Sequence, residues 1–364
     1  MTARDGAKRA PACGKAAGSP GPWCVGPALP LRQVQKCKLR QVQCKNLKST
    51  YAPPRARMKP EPPARPKPAD VGGKRKGGFC MGYRNANIDE KGLLFGKWCI
   101  KEGLWAITNR WQNFMYLLVG SEKALLIDTG YGEGNLREVV ESITDLPVLV
   151  VNTHGHFDHS GGNGWWTDVF IAPEGAAATK QPFSPQQQAW YAAKPHRDYT
   201  IHPLHDGDVF TLGGGRTVEV LSIPAHHESS IALLDHGSRV LFTGDELEAG
   251  QVLLFVRAQN RPLGGVVAAH RANLQKLAAR RAQYDFICPA HNGVMLQPDV
   301  YLNDFMALDD ELLAGTAVPQ PDTAGFGFAP SSKEAGFFER FGPLQRVQHG
   351  QASLVYQQEQ EAEI

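Results

Sequence analysis

The chain has 364 residues, 42% of them hydrophobic, so one or two folded domains are expected. Its formal net charge of +3 hides an uneven split, because residues 1–80 carry 18 Lys and Arg against three Asp and Glu while the remainder is net acidic. No apolar stretch is longer than a strand, which argues against a secretory signal or a membrane-spanning segment, and we expect no membrane partner.

Residues 1–80 are predicted to be a disordered, basic tail rich in proline and glycine, because such a composition buries too little apolar surface to offset the entropy of ordering. Met58 and Met81 are candidate internal starts, so the tail could instead lie upstream of the native first residue. Despite the basic charge we do not expect a nucleic-acid partner. Residues 81–364 are predicted to form the folded domain, with a C-terminal extension from about residue 320. Seven cysteines without a disulfide framework indicate a reducing compartment, and hence the cytoplasm.

Hydrophobic periodicity predicts four helices, at 135–143, 173–180, 265–283 and 298–314. His270, in the third of these helices, is expected on the helix surface. Apolar runs predict strands at 146–151, 217–221, 240–245 and 286–288.

The strand at 146–151 is followed by three histidines and one aspartate within six positions: His154, His156, Asp158 and His159. Imidazole and carboxylate together suit zinc, iron, manganese or nickel. Side chains alternate along an extended loop, so His154 and His156 face the same way. Asp158 and His159 follow where the chain turns and can face a second ion. The motif therefore predicts that one loop serves two metal ions.

Further candidate ligands follow the three later strands: His226 with its neighbour His227, then Asp245, then His291. Each lies just past the carboxyl end of a predicted strand, where a rigid scaffold can direct side chains into one cleft.

In this order, the His-x-His-x-Asp-His core, the turn at His226, the Gly-Asp strand end and the final His291 resemble the metallo-β-lactamase-fold superfamily. The resemblance covers roughly residues 104–313. It implies an α+β fold, an αββα four-layer sandwich in which two mostly antiparallel sheets face each other, with helices outside and metals at one edge. It also implies an opening hairpin at 113–130, in which Asp128 either orients the ligand loop or starts the turn before Gly130.

The resemblance implies two divalent ions held by seven side chains, three on one ion, three on the other and one between them: His154, His156 and His226; Asp158, His159 and His291; and Asp245. Zinc is the expected metal, with iron or manganese as alternatives. His226 is preferred to His227 because it aligns with the turn of the family, in which Ala225 replaces a common glycine.

The activity that the resemblance implies is hydrolysis of a small ester, thioester or lactone-like substrate by a hydroxide that two metal ions activate, with Asp158 and Asp245 as the catalytic residues that steer the proton. An aspartate at 245, where class B β-lactamases carry cysteine, and the lack of the lactonase tyrosine beyond it favour the thioesterases of the glyoxalase II type.

Two alternatives of the same fold remain open. One is a persulfide dioxygenase with a single iron on His154, His226 and Asp245, and the other is a nuclease. The oligomeric state is left open.

Two segments are expected to form the walls of the substrate site, 182–203 with Trp190 and Arg197, and 246–262 with Phe255 and Arg257. Either arginine could pair with an anionic substrate group or simply face solvent.

Overall fold

The computed structural model of the protein describes residues 95–180, 183–191, 193–194, 197–256, 259–322 and 343–357, and at 186, 190 and 191 it describes the backbone alone. The predicted tail at 1–80 and the domain start at 81 lie outside these ranges and stay predictions. The same holds for Arg257 and for the side chain of Trp190.

The first sheet has seven strands, which follow one another in space as they do in the chain. They are Phe95–Lys101 (β1), Leu104–Asn109 (β2), Phe114–Val119 (β3), Ala124–Ile127 (β4), Val148–Val151 (β5), Asp168–Ile171 (β6) and Thr200–Pro203 (β7). Strands β1 to β4 pair antiparallel, and β3 with β4 forms the predicted hairpin. Strands β4 to β7 pair parallel, so the expectation of a mostly antiparallel sheet is wrong here. The connections after β4, β5 and β6 contain helices that cross over and return the chain in the same direction.

The second sheet has five strands in the order β13-β11-β10-β9-β8. They are Val209–Thr211 (β8), Thr217–Ser222 (β9), Ile231–Asp235 (β10), Val240–Gly244 (β11) and Phe286–Pro289 (β13), while Val252–Leu254 (β12) belongs elsewhere. Only β11 with β13 is parallel, so this sheet is mostly antiparallel, as expected.

The two sheets pack face to face over one apolar core. Leu118 and Ile127 of the first sheet are buried with Val220, Leu233 and other side chains of the second sheet. Because side chains alternate between the faces of a strand, strands that are apolar on both faces can pack on a second sheet and on helices at once.

All four predicted helices are present, with ends that shift by a few residues. The helices are Leu136–Glu141 (α1), Phe157–Ser160 (α2), Ala176–Lys180 (α3), Pro185–Tyr191 (α4), Leu263–Ala279 (α5) and Pro298–Leu313 (α6), with 3-10 turns at Asn163–Trp165, Pro173–Gly175 and Arg281–Gln283. Leu136 and Val140 of α1 are buried on the outer face of the first sheet. Leu274 of α5 and Phe305 of α6 are buried on the outer face of the second sheet. The layers are therefore helix, sheet, sheet, helix, which confirms the predicted αββα sandwich.

A third, smaller sheet joins distant parts of the chain. It contains Gln320–Pro321 (β14), Leu344–His349 (β15) and Ala352–Gln357 (β16), and β16 pairs parallel with β12. Strands β14, β15 and β16 lie in the segment for which the sequence predicted only an extension, so its described part contains strands, and β15 and β16 pack beside α6.

The expectation for His270 is wrong, because this side chain is fully buried between α5 and α6. Its Nδ1 lies 2.8 Å from a carboxylate oxygen of Asp309 on α6. Its Nε2 donates to the main-chain oxygen of Glu246 at 2.9 Å. A histidine is stable on a buried helix face when both ring nitrogens find partners, and these partners are remote in sequence.

Strands β5, β9, β11 and β13 carry the candidate ligands just after their last residues, and main-chain hydrogen bonds join the two sheets at that edge. The N–H of Ile231 donates to Thr153 O at 2.9 Å, and the N–H of Phe114 donates to Ala290 O at 2.7 Å. Among the helices of the described ranges, none combines the length and apolar character needed to cross a bilayer.

Candidate metal centre

Asp128 anchors the first ligand loop. One of its carboxylate oxygens accepts the N–H of Thr153 at 2.7 Å. The other accepts the hydroxyl of Thr153 at 2.8 Å and lies 2.9 Å from Nδ1 of His159. Asp128 does this from a turn, since its φ is 61°. It therefore combines both roles considered for it, ending the strand and orienting the loop and the ring of His159.

The first group of candidate ligands consists of three histidines. Nδ1 of His156 lies 2.9 Å from Nε2 of His154 and 3.0 Å from Nε2 of His226. His154 and His226 are buried, and His156 is half-buried. Three ring nitrogens thus converge on one point, as the sequence predicted for the first ion.

Hydrogen bonds determine which nitrogen of His226 faces this group. Its Nδ1 lies 2.8 Å from the carbonyl oxygen of Leu253. A carbonyl only accepts, so Nδ1 carries the proton and Nε2 presents a lone pair to the group.

The second group brings together Asp158, His159, Asp245 and His291, with one ligand atom of each within 4.8 Å of the others. Nε2 of His291 lies 3.1 Å from Oδ2 of Asp158. Nε2 of His159 lies 3.5 Å from the same oxygen. These are the residues that the sequence predicted for the second ion.

Asp245 lies between the two groups. Its Oδ2 is 3.4 Å from Nε2 of His159, 3.6 Å from Nε2 of His226 and 3.7 Å from Nε2 of His291. The preceding Gly244 has a φ of +53°, and a Cβ there would lie 2.8 Å from the side chain of Thr153. A glycine at this position therefore lets the end of β11 approach the first ligand loop closely.

A further observation supports the binding of divalent ions by these side chains. Nε2 of His159 and Oδ1 of Asp245 are buried and have no hydrogen-bond partner in the described part of the chain. Unpaired buried polar atoms are costly, and a bound cation would satisfy both. Five histidine nitrogens and two carboxylates suit zinc, iron or manganese. The set contains no cysteine, which is the usual ligand of closed structural zinc sites.

Burial controls protonation in the first group. It lowers the pKa of His154 and of His156 well below the ordinary value, and the neighbouring histidines reinforce this. Burial also lowers the pKa of His226, although the charge of Asp245 acts in the opposite direction. The three rings are therefore neutral near pH 7, which is the form that binds metals.

In the second group the charges of the carboxylates and histidines control protonation. Although burial opposes it, the charge of Asp245 and the hydrogen bond to Asp158 raise the pKa of His291 to about 9. The charge of His159 holds the pKa of Asp158 and of Asp245 below the ordinary range, again against the effect of burial. Both carboxylates are therefore ionised and available to a cation.

His227 belongs to neither group. The N–H of Ser229 donates to its Nδ1 at 3.1 Å, so Nδ1 is an acceptor and the proton of the neutral ring sits on Nε2. Its ring centroid lies 4.7 Å from that of His156. The geometry favours His226 as the ligand and leaves His227 beside the first group.

The predicted substrate walls are partly within the described residues. The ring of Phe255 lies 5.3 Å from those of His156 and His226. Phe183, from the other segment, lies 5.5 Å from Phe157. The guanidinium of Arg197 stands 5.0 Å from the ring of Trp165. An aromatic side chain from each segment thus approaches the ligand loop.

Glu246 and Glu248 follow Asp245 in the segment expected to form a substrate wall, and the sequence predicted no individual role for either. Glu246 accepts two main-chain N–H groups of the turn at 225–226. Glu248 accepts the side chain of Asn292 at 2.7 Å, and burial raises the pKa of its carboxyl group well above the ordinary value. The sequence offered no signal for this burial, because glutamates are mostly exposed.

Comparison with known proteins finds a family and relatives that resemble this chain. The family model described as Metallo-beta-lactamase superfamily matches residues 108–291. The human protein Acyl-coenzyme A thioesterase MBLAC2 is 31% identical over 191 residues, covering 45% of this chain and 67% of that protein. Hydroxyacylglutathione hydrolase of Polaromonas sp. is 32% identical over 199 residues, covering 54% and 67%. A solved metallo-beta-lactamase from Pontibacter korlensis has a TM-score of 0.44 at 19% identity, covering 59% of this chain and 99% of that chain.

Proposed function

The chain belongs to the metallo-β-lactamase superfamily and is a hydrolase of that fold, and on this premise we propose that it hydrolyses small thioesters at a centre of two divalent ions. The observation that carries the proposal is the convergence of seven side chains in two groups, with Asp245 between them. A persulfide dioxygenase would need one ion only, whereas here the second group is as complete as the first. The features of the described residues give no support to a nuclease.

We assign His154, His156 and His226 to one ion, Asp158, His159 and His291 to the other, and Asp245 to both. Zinc is the metal we propose, since histidine and carboxylate without cysteine are typical of catalytic zinc sites. Ions bound there would acidify a water molecule and polarise the thioester carbonyl.

Asp158 and Asp245 are the proposed catalytic residues. Neighbouring histidines keep the pKa of both carboxyl groups low, so each remains ionised near neutral pH and can accept a hydrogen bond that orients water and steers its proton. Phe255 packs against two ligand rings and helps to exclude bulk water from them.

The hydroxyl groups of two nearby serines form hydrogen bonds within the fold, which favours water as the nucleophile. The hydroxyl of Ser160 donates to His156 O at 2.9 Å. The hydroxyl of Ser229 accepts the N–H of Gly155 at 3.1 Å and lies 2.8 Å from Nδ1 of His227. Ser160 is bonded to a carbonyl oxygen, which is not a base, and burial lowers the pKa of His227 to about 4, so this ring is a weak base for activating Ser229.

The thioester class is supported by the relatives, whose names state an acyl-coenzyme A and a hydroxyacylglutathione substrate. Asp245 stands where class B β-lactamases carry cysteine, which speaks against a lactam. A cytoplasmic location is part of the proposal, since the seven cysteines of the sequence show no spacing typical of a disulfide framework.

The test combines metal content of the purified full chain with hydrolysis of acyl-coenzyme A, acylglutathione, ester and lactone substrates. About two ions per chain, with turnover of thioesters, is the expected result. His156→Ala should abolish turnover, whereas His202→Ala, which removes a surface histidine paired with Asp168, should leave it intact. A single iron, no hydrolysis and oxygen uptake with glutathione persulfide would refute the proposal in favour of the dioxygenase.

A further inference from the structure

Two side chains hold the dipeptide Ala225-His226 from opposite sides. Oε1 of Glu246 accepts the N–H of Ala225 at 2.8 Å and that of His226 at 2.7 Å. Nε2 of Gln259 donates to the carbonyl oxygens of the same two residues, at 2.6 and 3.0 Å. All four main-chain polar groups of the dipeptide are thus bonded by two side chains, which we name the Glu246–Gln259 clamp.

Glu246 is itself anchored to the helices behind the second sheet. Its main-chain oxygen accepts Nε2–H of His270 at 2.9 Å, and Nδ1 of His270 lies 2.8 and 3.0 Å from the two carboxylate oxygens of Asp309. Asp309 and His270 are fully buried, and Glu246 is almost so. The clamp is therefore tied to α5 and α6 through groups that exchange little with solvent.

The other half of the clamp has a fixed orientation as well. Oε1 of Gln259 faces Nη1 of Arg261 at 3.4 Å, which leaves the NH2 group of its amide for the two carbonyls. Arg261 in turn donates to Gly265 O at the start of α5.

The dipeptide carries a ligand of the first ion, so its position decides where Nε2 of His226 lies. The ring has one further anchor, its Nδ1–H on Leu253 O. Distances between a divalent ion and its ligands hold to within about 0.2 Å, so the main chain behind a ligand must be equally well fixed.

We propose that Glu246 and Gln259 are positioning residues that hold His226 as a ligand of the first ion, with His270 and Asp309 anchoring Glu246. The inference rests on the metal centre of the proposed function and is independent of the thioester substrate. Glu246 acts here through the oxygen that accepts two N–H groups, so a glutamine, which keeps such an oxygen, should replace it and an alanine should not.

The experiment measures Zn²⁺ affinity of the metal-free full chain by competition with a chromophoric chelator, together with the visible spectrum of the Co²⁺ form. Glu246→Ala should weaken Zn²⁺ binding by roughly 10–100-fold, as is common for groups that orient a metal ligand. Glu246→Gln should restore most of the affinity. Glu219→Ala is the matched control, because Glu219 lies on β9, leading to the same turn, but pairs with Arg280.

A double mutant separates positioning from general damage. If Glu246 acts through His226, Glu246→Ala should cause no further loss in a His226→Ala background. Unchanged affinity in Glu246→Ala, additive losses in the double mutant, or equal loss with glutamine and alanine would each overturn the inference.

A second readout needs no metal. Amide hydrogen exchange at Ala225 and His226 should be faster in metal-free Glu246→Ala than in the wild type, and unchanged in Glu219→Ala. Equal exchange rates in wild type and Glu246→Ala would overturn the inference even if no ion bound. Thioester turnover by the wild type is measured separately. Its absence would refute the proposed function, whereas the metal affinities and exchange rates of the variants would still test the role of Glu246.

Discussion

The buried pair of His270 and Asp309 should make the stability of this protein depend on pH in a defined window. Burial lowers the pKa of His270, but the charge of Asp309 and its hydrogen bond raise it to about 9, against an ordinary value of 6.5. A pKa raised by folding contributes stability that is fully present below 6.5 and is lost as the pH rises through about 9.

The size of the effect follows from the shift. At about 1.4 kcal/mol per pKa unit, a rise from 6.5 to about 9 corresponds to about 3 kcal/mol of unfolding free energy. Asp309→Asn keeps an acceptor for the ring but removes the charge, so its free energy of unfolding should be about 3 kcal/mol below that of the wild type at pH 6. The difference should shrink as the pH rises through about 9, because His270 then loses its charge in the wild type.

Urea denaturation at pH 6, 7.5 and 9.5, followed by tryptophan fluorescence, measures this difference. The neighbouring Asp310 provides the matched control, because it is 59% exposed and pairs with Arg271 at the surface. Asp310→Asn should cost less than about 1 kcal/mol, with no slope across this window. A wild-type to Asp309→Asn difference that stays constant from pH 6 to 9.5 would refute the reasoning.

Three further predictions concern the metal centre. Asp128→Asn should weaken metal binding by roughly 10–100-fold, because an amide cannot replace both the charge beside His159 and the acceptors for Thr153. Metal analysis after dialysis checks this prediction, and full retention of metal would contradict it. His226→Ala should lose the first ion while His227→Ala keeps both, and the opposite result in elemental analysis would exchange their roles. Chelation should lower the melting temperature, since metal at 100 times its Kd adds about 2.7 kcal/mol, and an unchanged melting curve would exclude tight binding to the folded state.

The candidate site could be located from the sequence because each ligand follows a strand that is recognisable locally. Val148–Val151 is an apolar strand, and His154 to His159 come directly after it. The four helices are also set by short-range patterns, so their approximate bounds were predictable, whereas the hairpin of β3 and β4 was expected from the resemblance to the family. Helix ends shifted because the last turn depends on capping and on packing partners.

Contacts between distant segments were beyond the sequence. His270 shares helical spacing with the buried Leu274 and Leu277, but its polar side chain suggested the surface, because its partner Asp309 lies 39 residues further along. The parallel half of the first sheet depends on how the connecting helices cross over, and β16 pairs with a strand far earlier in the chain, Val252 lying opposite Leu354. A sequence pattern shows which face of a strand or helix is apolar. Which other segment packs against or pairs with that element depends on the rest of the fold.

The sequence by itself therefore determined which residues could bind metal, because ligand chemistry and strand ends are local properties. Only the tertiary structure showed the contacts that hold them: which nitrogen of His226 faces the first group, how far Asp245 lies from the histidines of both groups, and that Glu246 and Gln259 hold the turn. These features depend on hydrogen-bond direction and distance between separate loops, and both exist only once the two sheets have packed together.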